Sequence, residues 1–308
     1  MNKWCAVRNV FLSMGFLIFF YGTAGASGKI EIIASSFPVY DFARQVGKDR
    51  VNVRMLLPPG VEAHSFEPRP RDISRIESAD IFIYTNDIME PWARRISRGM
   101  QKKDSRVIDA GRDAVYIAAS GEEKEHFHSG GKDPHIWLDF SNVRIMVNAI
   151  ADGLIAADPA GKAYYAGNAE AFNRKITALD ESYTRALSKC EHSVFIHCGH
   201  FAFNYLTARY GLEYISPYKG FNPEAEPTPR NLAELVDAIR ARKVKYIYYE
   251  ELLSPKLAEV IANETHVSLL CLQTAHNLSS DDFAKGVTFM DIMNKNLKNL
   301  IVGLECHE

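Results

Sequence analysis

The stretch Lys162-Ala-Tyr-Tyr-Ala-Gly-Asn-Ala-Glu-Ala-Phe-Asn-Arg-Lys-Ile-Thr-Ala-Leu-Asp-Glu-Ser-Tyr-Thr-Arg-Ala-Leu-Ser-Lys189 decides how the rest of the chain is organised. Apolar residues recur along it at spacings of three and four, and no proline interrupts it, which predicts one long amphipathic helix. At 1.5 Å per residue this helix would be roughly 42 Å long. That is more than one small domain needs, so we expect the helix to join two domains rigidly. The apolar positions are Tyr165, Ala169, Phe172, Ile176, Leu179, Tyr183 and Ala186.

On both sides of this segment, apolar runs of strand length alternate with segments of helical spacing. Strands that alternate with helices predict parallel βαβ units. The predicted fold is therefore α/β, with two lobes that each contain a central, mostly parallel sheet flanked by helices. We place the N-terminal lobe at 27–160, the linker helix at 161–189 and the C-terminal lobe at 190–308. The predicted strands cover 30–34, 51–57, 80–84, 193–198, 246–249 and 267–272, and one closing helix covers 281–304.

Composition excludes several classes of protein. The 308 residues include 36 Lys+Arg against 38 Asp+Glu, and 47% are hydrophobic. This near-neutral balance and ordinary apolar content exclude a polyelectrolyte that binds nucleic acid, a disordered tail protein and a collagen-like repeat. The length suits two globular domains, each large enough to bury a core without disulfides.

The first 26 residues have the pattern of a targeting segment. Lys3 and Arg8 precede an apolar run over 10–21, and small residues end the segment at Ala26. This order predicts a secretory signal peptide cleaved after Ala26, with export to the periplasm. The apolar run is shorter than the roughly 20 residues that span a bilayer, and Cys5 precedes it, so we expect neither a membrane anchor nor a lipoprotein. The mature protein is expected to be a soluble monomer.

Export would place Cys190, Cys198, Cys271 and Cys306 in an oxidising compartment, where disulfides persist. Four cysteines allow three full pairings, and their spacing does not choose among them. All four lie in the second half of the chain. Any disulfide would therefore cross-link that half alone.

Four histidines share one kind of position in the predicted fold. His64, His200 and His276 each follow the carboxyl end of a predicted strand, and His135 directly precedes a predicted helix. Ligands bind at this edge of open α/β sheets because the loops there converge on a crevice. Two histidines from each half thus predict one site between the lobes, and four neutral imidazoles complete the tetrahedral shell that Zn²⁺ accepts. The alternative is that each is an ordinary loop or capping histidine.

Carboxylates near the same edge could complete or orient this shell. Glu250 ends a predicted strand, and we expect it to accept a hydrogen bond that orients a ligating imidazole, with direct ligation as the alternative. Glu62 and Glu67 flank the first of the four histidines, and either could be the fourth ligand if His276 points away. Asp139 is expected to fix its local turn, and Ser141 to cap the helix that follows.

A polar, glycine-bounded segment at 120–133 predicts a surface loop. Its His126 and His128 lie among glutamates and form a candidate metal-capture tract, with a solvated charge run as the alternative. His197 lies within a predicted strand, where a buried or ligand-orienting histidine is expected. Three further histidines are expected at the surface: His192, His266 and His307.

An ordered set of motifs matches one protein family. The motifs are Ser36-Phe-Pro-Val-Tyr40, Glu62-Ala-His-Ser-Phe-Glu-Pro68, Asp133-Pro-His-Ile-Trp-Leu-Asp139, His200-Phe-Ala-Phe-Asn-Tyr205 and Tyr249-Glu250. Together with the exported start, they resemble the metal-binding solute-binding proteins of ABC importers, and within these the zinc-uptake branch, across essentially the whole mature chain. The resemblance implies a TroA-like fold in which one long helix joins two lobes. It also implies that the metal is held between the lobes and handed to a membrane permease.

The resemblance assigns ligands by motif position. His64, His135 and His200 correspond to the family's three principal ligands. The fourth position is usually Asp in manganese-type members, whereas here His276 stands at the expected place. Because Mn²⁺ prefers carboxylate oxygen, this departure favours Zn²⁺ over Mn²⁺. The implied function is zinc capture with no chemical step, and manganese or iron transport by the same family is the alternative.

Two other classes of protein compete with this interpretation. A zinc metallohydrolase needs an open water position on the metal, which a closed four-histidine shell lacks. The chain also has no His-Glu-x-x-His or Gly-x-Ser-x-Gly motif. A surface adhesin with a structural metal is the third class. It would unfold without metal, whereas a transport protein should stay folded and be stabilised in proportion to the metal concentration.

Overall fold

The computed structural model describes residues 1, 28–100, 106–118, 131–200, 202–218 and 227–307. The predicted signal segment, apart from its first residue, lies outside the described residues, as do His126 and His128. Across the described ranges, no helix combines the length and the hydrophobicity that crossing a bilayer requires.

The first half of the chain folds around a four-stranded parallel sheet of order β2-β1-β3-β4. Its strands are β1 (Ile30–Ala34), β2 (Val51–Met55), β3 (Ile81–Tyr84) and β4 (Arg106–Asp109). The helices of this half are α1 (Phe37–Gly47), α2 (Pro70–Ser78), α3 (Pro91–Met100) and α4 (Phe140–Ala157).

Helices cover both faces of this sheet, as alternation along β3 shows. Ile81 and Ile83 belong to the same buried cluster as the apolar residues of α1 and α4. Phe82 and Tyr84 point to the other face, where they pack with Trp92 of α3. A strand that is buried on both faces has a continuous apolar sequence. The position of β3 could therefore be predicted from the sequence.

The second half contains two parallel strand pairs. Strand β5 (Val194–Ile196) pairs with β6 (Glu213–Ile215), and β7 (Tyr246–Tyr249) pairs with β8 (Ser268–Cys271). A parallel bridge between His197 and Tyr248 connects the two pairs. The predicted α/β class with parallel sheets is confirmed. The helices are α6 (Asn204–Tyr210), α7 (Pro229–Arg242), α8 (Lys256–Thr265), α9 (Ser280–Ala284) and α10 (Phe289–Gly303).

The long helix predicted between the halves is present as α5 (Lys162–Leu187). It packs against α1 and α4 of the first half and against α6 and α10 of the second. Its buried face matches the predicted apolar positions except that Leu187 is buried in place of Ala186. The Tyr183 hydroxyl donates to the Met293 carbonyl at 2.7 Å, which fixes α5 to α10.

The single closing helix predicted over 281–304 is wrong, because two helices occupy this region. Gly286 between them has φ +71°, a left-handed conformation that glycine adopts at low cost. Thr288 and Asp291 then form a capping box that starts α10 as a separate helix.

The start of α10 packs on the first half of the chain although α10 belongs to the second. The backbone N–H of Phe289 donates to the Asp41 carboxylate at 3.1 Å, and its ring meets that of Phe42 with centroids 5.1 Å apart. Near its other end, Gly303 approaches the Tyr248 ring so closely that a Cβ there would lie 2.0 Å from the tyrosine oxygen. Both α5 and α10 therefore bind the two halves together.

Among the cysteines that the structure describes, Cys190 and Cys306 form a disulfide, while Cys198 and Cys271 are free thiols. The disulfide joins the segment after α5 to the segment after α10. As expected, the bridge cross-links the second half alone.

Replacing this disulfide tests its contribution to stability. The bridge closes a 116-residue separation, so the Cys190→Ser/Cys306→Ser variant should lose about 2–5 kcal/mol of unfolding free energy. Urea denaturation followed by circular dichroism measures the difference. Cys271→Ser, at a half-buried free thiol, is the matched control. Equal unfolding free energies for the wild type and the double variant would contradict the expected role.

Candidate metal centre

All four predicted histidines meet between the two halves of the chain. The Nε2 atoms of His64 and His135 are 3.2 Å apart, and those of His135 and His200 are 3.3 Å apart. The His276 ring lies 5.8 Å from that of His200, centroid to centroid. Ligand atoms of His200, Glu250 and His276 also lie within 4.8 Å of one another.

The elements place these side chains as the sequence predicts. His64, His200 and His276 follow the carboxyl ends of β2, β5 and β8, and His135 precedes a short 3₁₀ turn that leads into α4. The predicted cap of α4 is wrong in detail. Asp139, not Ser141, is the capping residue, and its carboxylate accepts the Ser141 N–H at 2.7 Å.

A buried carboxylate orients the His135 ring. Nδ1 of His135 lies 2.8 Å from Asp133 Oδ1, and both side chains are fully buried. Asp133 is held in turn by the second half of the chain. Asn204 donates to Asp133 Oδ2 at 2.7 Å, and the Tyr205 hydroxyl donates to the Asp133 carbonyl at 2.9 Å. One lobe thus sets the orientation of a histidine from the other.

Glu250 orients two imidazoles at once. Its Oε2 lies 2.7 Å from Nδ1 of His200. Its Oε1 accepts the Thr274 hydroxyl at 3.1 Å, and the same hydroxyl oxygen lies 2.6 Å from Nδ1 of His276. Since the hydroxyl gives its only proton to Glu250, its oxygen accepts the N–H of His276. The predicted orienting role of Glu250 matches this geometry.

These hydrogen bonds turn the Nε2 atoms of the rings toward one another. His135 and His200 both direct Nδ1 at a carboxylate, so in the neutral rings both Nε2 atoms are acceptors. Nε2 of His276 is buried and has no hydrogen-bond partner among the described residues. Two acceptor nitrogens at 3.3 Å repel unless a proton or a metal ion lies between them. A proton on one ring or a metal ion therefore stabilises the arrangement.

Burial and the Glu250 carboxylate together shift the pKa values of the buried histidines. Removal from water and the neighbouring imidazoles hold the pKa of His64 well below its usual value, and burial also lowers the pKa of His276. Burial opposes the charged form of His200 as well, but the Glu250 carboxylate outweighs it and the pKa is raised. Burial likewise disfavours ionised Glu250, yet the His200 charge and hydrogen bond lower its pKa to about 2.

The two alternative carboxylates differ in position. Glu62 lies at the site: its Oε1 accepts the His64 N–H at 2.9 Å, and its Oε2 is 3.7 Å from Nε2 of His276. Glu67 points away from the site, because its exposed carboxylate lies 3.8 Å from the Arg95 guanidinium. Of these two carboxylates, only Glu62 lies within reach of the histidine rings.

Besides Asp133, which orients His135, two residues at the centre were not predicted from the sequence. Thr274 relays the orienting effect of Glu250, and Trp137 donates its indole N–H to the Thr274 carbonyl at 2.7 Å across the two halves. One local signal could have found Thr274: it precedes its histidine by two positions, as Asp133 precedes His135. A polar side chain at that spacing can turn back to the ring of the same loop.

The remaining histidines lie elsewhere. His197 is fully buried, with Nδ1 3.3 Å from the Tyr214 hydroxyl, and it belongs to none of the metal-binding clusters within the described ranges. His192 was expected as a surface residue, but it is half-buried because its ring packs beside Glu305, with Nε2 3.1 Å from that carboxylate. His266 and His307 are exposed, as expected.

Comparison with known proteins identifies relatives of this chain. Residues 32–303 match the family model ZnuA, described as zinc-uptake complex component A, periplasmic. The chain is 34% identical over 286 residues to the high-affinity zinc uptake system protein ZnuA of Bacillus subtilis, covering 91% of this chain and 89% of that protein.

A streptococcal protein is also similar. The zinc-binding lipoprotein AdcA of Streptococcus pneumoniae is 36% identical over 282 residues, and the match spans 89% of this chain but 56% of AdcA. The chain thus matches little more than half the length of that relative. The crystal structure of the Zn(II)-bound ZnuA-like domain of AdcA matches with a TM-score of 0.78 at 34% identity, covering 90% of this chain and all of that domain.

Removing the Glu250 charge tests the electrostatics of the centre. In metal-free protein, Glu250→Gln should lower the pKa of His200, because the carboxylate that raises this pKa most is removed while burial still favours the neutral ring. Nuclear magnetic resonance titration of the ring measures this directly. The adjacent Glu251→Gln is the matched control. An unchanged His200 pKa in Glu250→Gln would refute the pairing.

Proposed function

Since the chain belongs to the ZnuA family of zinc-uptake components, we propose that it captures Zn²⁺ between its lobes and delivers it to the permease of an ABC importer. His64, His135, His200 and His276 are the proposed ligands. Glu250 is proposed to orient two of them rather than to bind the ion. The protein would carry out no chemical step of its own.

The spacing of the Nε2 atoms carries this proposal. A tetrahedral shell with Zn–N distances of about 2.0–2.1 Å places its nitrogens about 3.3–3.4 Å apart. The observed separations are 3.2 Å for His64 to His135 and 3.3 Å for His135 to His200. An ion could therefore enter with little rearrangement of these three rings. The unpartnered Nε2 of His276 supplies the fourth donor.

The donor set supports zinc over manganese. Imidazole suits Zn²⁺, whereas Mn²⁺ favours carboxylate and water oxygen. Here Asp133 and Glu250 are engaged with ring N–H groups, and Glu62 Oε2 lies 3.7 Å from Nε2 of His276. A shell of four imidazoles also leaves no coordination position for a hydrolytic water, which argues against a metallohydrolase.

The remaining features fit an exported binding protein. We propose that residues 1–26 are a signal peptide cleaved after Ala26 and that the mature protein acts in the periplasm as a monomer. The lobes are proposed at 27–160 and 190–308, with 161–189 as the linker. His126 and His128 are proposed to capture metal loosely before it enters the cleft.

Truncating a ligand tests the site assignment. His200→Ala should weaken zinc binding by at least about 100-fold, because it removes one donor of four and leaves the Glu250 charge buried without its partner. Competition against a chromophoric chelator, with Zn²⁺ and with Mn²⁺, measures both affinity and preference.

His266→Asn, at an exposed histidine, is the matched control for that titration, and circular dichroism checks that each variant is folded. Unchanged zinc affinity in His200→Ala would contradict the site assignment. Tighter binding of Mn²⁺ than of Zn²⁺ by the wild type would instead overturn the choice of metal.

Acid should release the metal while the fold persists. His64 and His276 have lowered pKa values and stay neutral at pH 7, whereas His200 has a raised pKa and must give up a proton to bind the ion. Zinc affinity should therefore fall as the pH drops through the pKa of His200, which lies above the ordinary imidazole value of about 6.5, and be lost near pH 4. Equilibrium dialysis from pH 7 to pH 4 measures the occupancy.

Glu250 does not contribute to this pH dependence. Its pKa of about 2 keeps it ionised at pH 4, so its protonation does not cause the release. Full zinc occupancy at pH 4 would count against a histidine shell. Circular dichroism at each pH separates release of the ion from unfolding.

A further inference from the structure

A second group of metal-binding side chains lies outside the cleft. Ligand atoms of Glu191, His192 and Glu305 all lie within 4.8 Å of one another. Nε2 of His307 lies 3.2 Å from the Glu191 carboxylate, so a second imidazole lies next to this group. None of these residues contributes to the histidine centre described above.

The topology separates this group from the cleft. Glu191 and His192 precede β5, and Lys245, which pairs with Glu305, precedes β7. They therefore lie at the amino ends of the strands, whereas the cleft is formed at the carboxyl ends. A strand of four residues, such as β7, at about 3.3 Å per residue keeps the two edges roughly 10 Å or more apart.

Backbone hydrogen bonds fix the two segments that carry the donors. The N–H of Glu191 donates to the Glu305 carbonyl at 3.3 Å, and the N–H of His192 donates to the Leu304 carbonyl at 3.2 Å. The N–H of His307 donates to the Lys189 carbonyl at 3.1 Å on the other side. The Cys190–Cys306 disulfide lies between these bonds and cross-links the two segments. Much of the entropy cost of gathering the donors is therefore met by folding.

Burial and chemistry suit a borderline cation. The side chains of His192 and Glu305 are only 26% and 20% exposed, and Nε2 of His192 lies 3.1 Å from Glu305 Oε2. Two imidazoles with two carboxylates make a nitrogen and oxygen donor set that Zn²⁺ accepts. One local cation competes for it, since the Lys245 ammonium pairs with Glu305 Oε1.

We propose that His192, Glu305 and Glu191, with His307 as the fourth donor, form a second Zn²⁺ site that the disulfide preorganises. Because the ion must displace Lys245 from Glu305, this site binds more weakly than the cleft. The proposal does not depend on the function of the cleft, which binds through different residues on the opposite edge of the strands.

Zinc titration of the full mature chain tests the proposal. A background carrying His126→Ala and His128→Ala removes the other candidate metal-binding tract, and the cleft is filled with one equivalent beforehand. Calorimetry should then detect a second Zn²⁺. His192→Ala should weaken that second event at least about 10-fold by removing a ligand, and Lys245→Ala should strengthen it by removing the competing charge.

The controls separate the two sites. His266→Asn should leave the second event unchanged. In a titration that starts from metal-free protein, His200→Ala should weaken the first event at least about 100-fold while the second persists. A background protein that binds one equivalent only, or a second event that His192→Ala leaves intact, overturns the proposal. A variant that loses only the first zinc-binding event reports on the cleft and not on the proposed second site.

Discussion

The centre depends on hydrogen bonds from Nδ1 of buried imidazoles to fixed oxygen atoms. Asp133 holds His135, Glu250 holds His200, and the Thr274 hydroxyl holds His276 at 2.6 Å. Each bond fixes the orientation of its ring, and the Nε2 atoms of His64, His135 and His200 converge. Gathering buried imidazoles in this way is unfavourable on its own, so the fold holds them only because many other contacts stabilise the surrounding loops.

Those contacts come from both halves of the chain. Trp137 of the first half donates to the Thr274 backbone, and Asn204 of the second half donates to Asp133. Helices α5 and α10 both pack across the two halves, so the loops that carry the ligands are joined by secondary structure and by direct hydrogen bonds. This assembly fixes the positions of the four histidines within the fold.

Much of this was predictable from the sequence because it depends on periodicity and order. Apolar runs gave the buried strand β3, helical spacing gave α5, and the ends of predicted strands gave the positions of His64, His200 and His276. Strands β4 and β6 were missed, since they are short and partly exposed and so lack a clear apolar run. The break at Gly286 was missed because the apolar spacing continues through it.

The orienting residues were harder to predict because their roles depend on tertiary structure. Glu250 is adjacent to a strand end and could be placed at the correct edge, but its second contact, through Thr274, requires two loops to meet. The disulfide pairing was open for the same reason: Cys190 and Cys306 are brought together by the ends of α5 and α10, which the sequence does not place side by side.

The central claim is that four imidazole nitrogens surround the ion. X-ray absorption at the zinc edge, on mature protein loaded with one equivalent of Zn²⁺, measures donor type, number and distance together. We predict four nitrogen donors at about 2.0–2.1 Å, with the multiple scattering of imidazole rings. A shell with fewer than four imidazoles, or one that includes oxygen or sulfur donors, would contradict it.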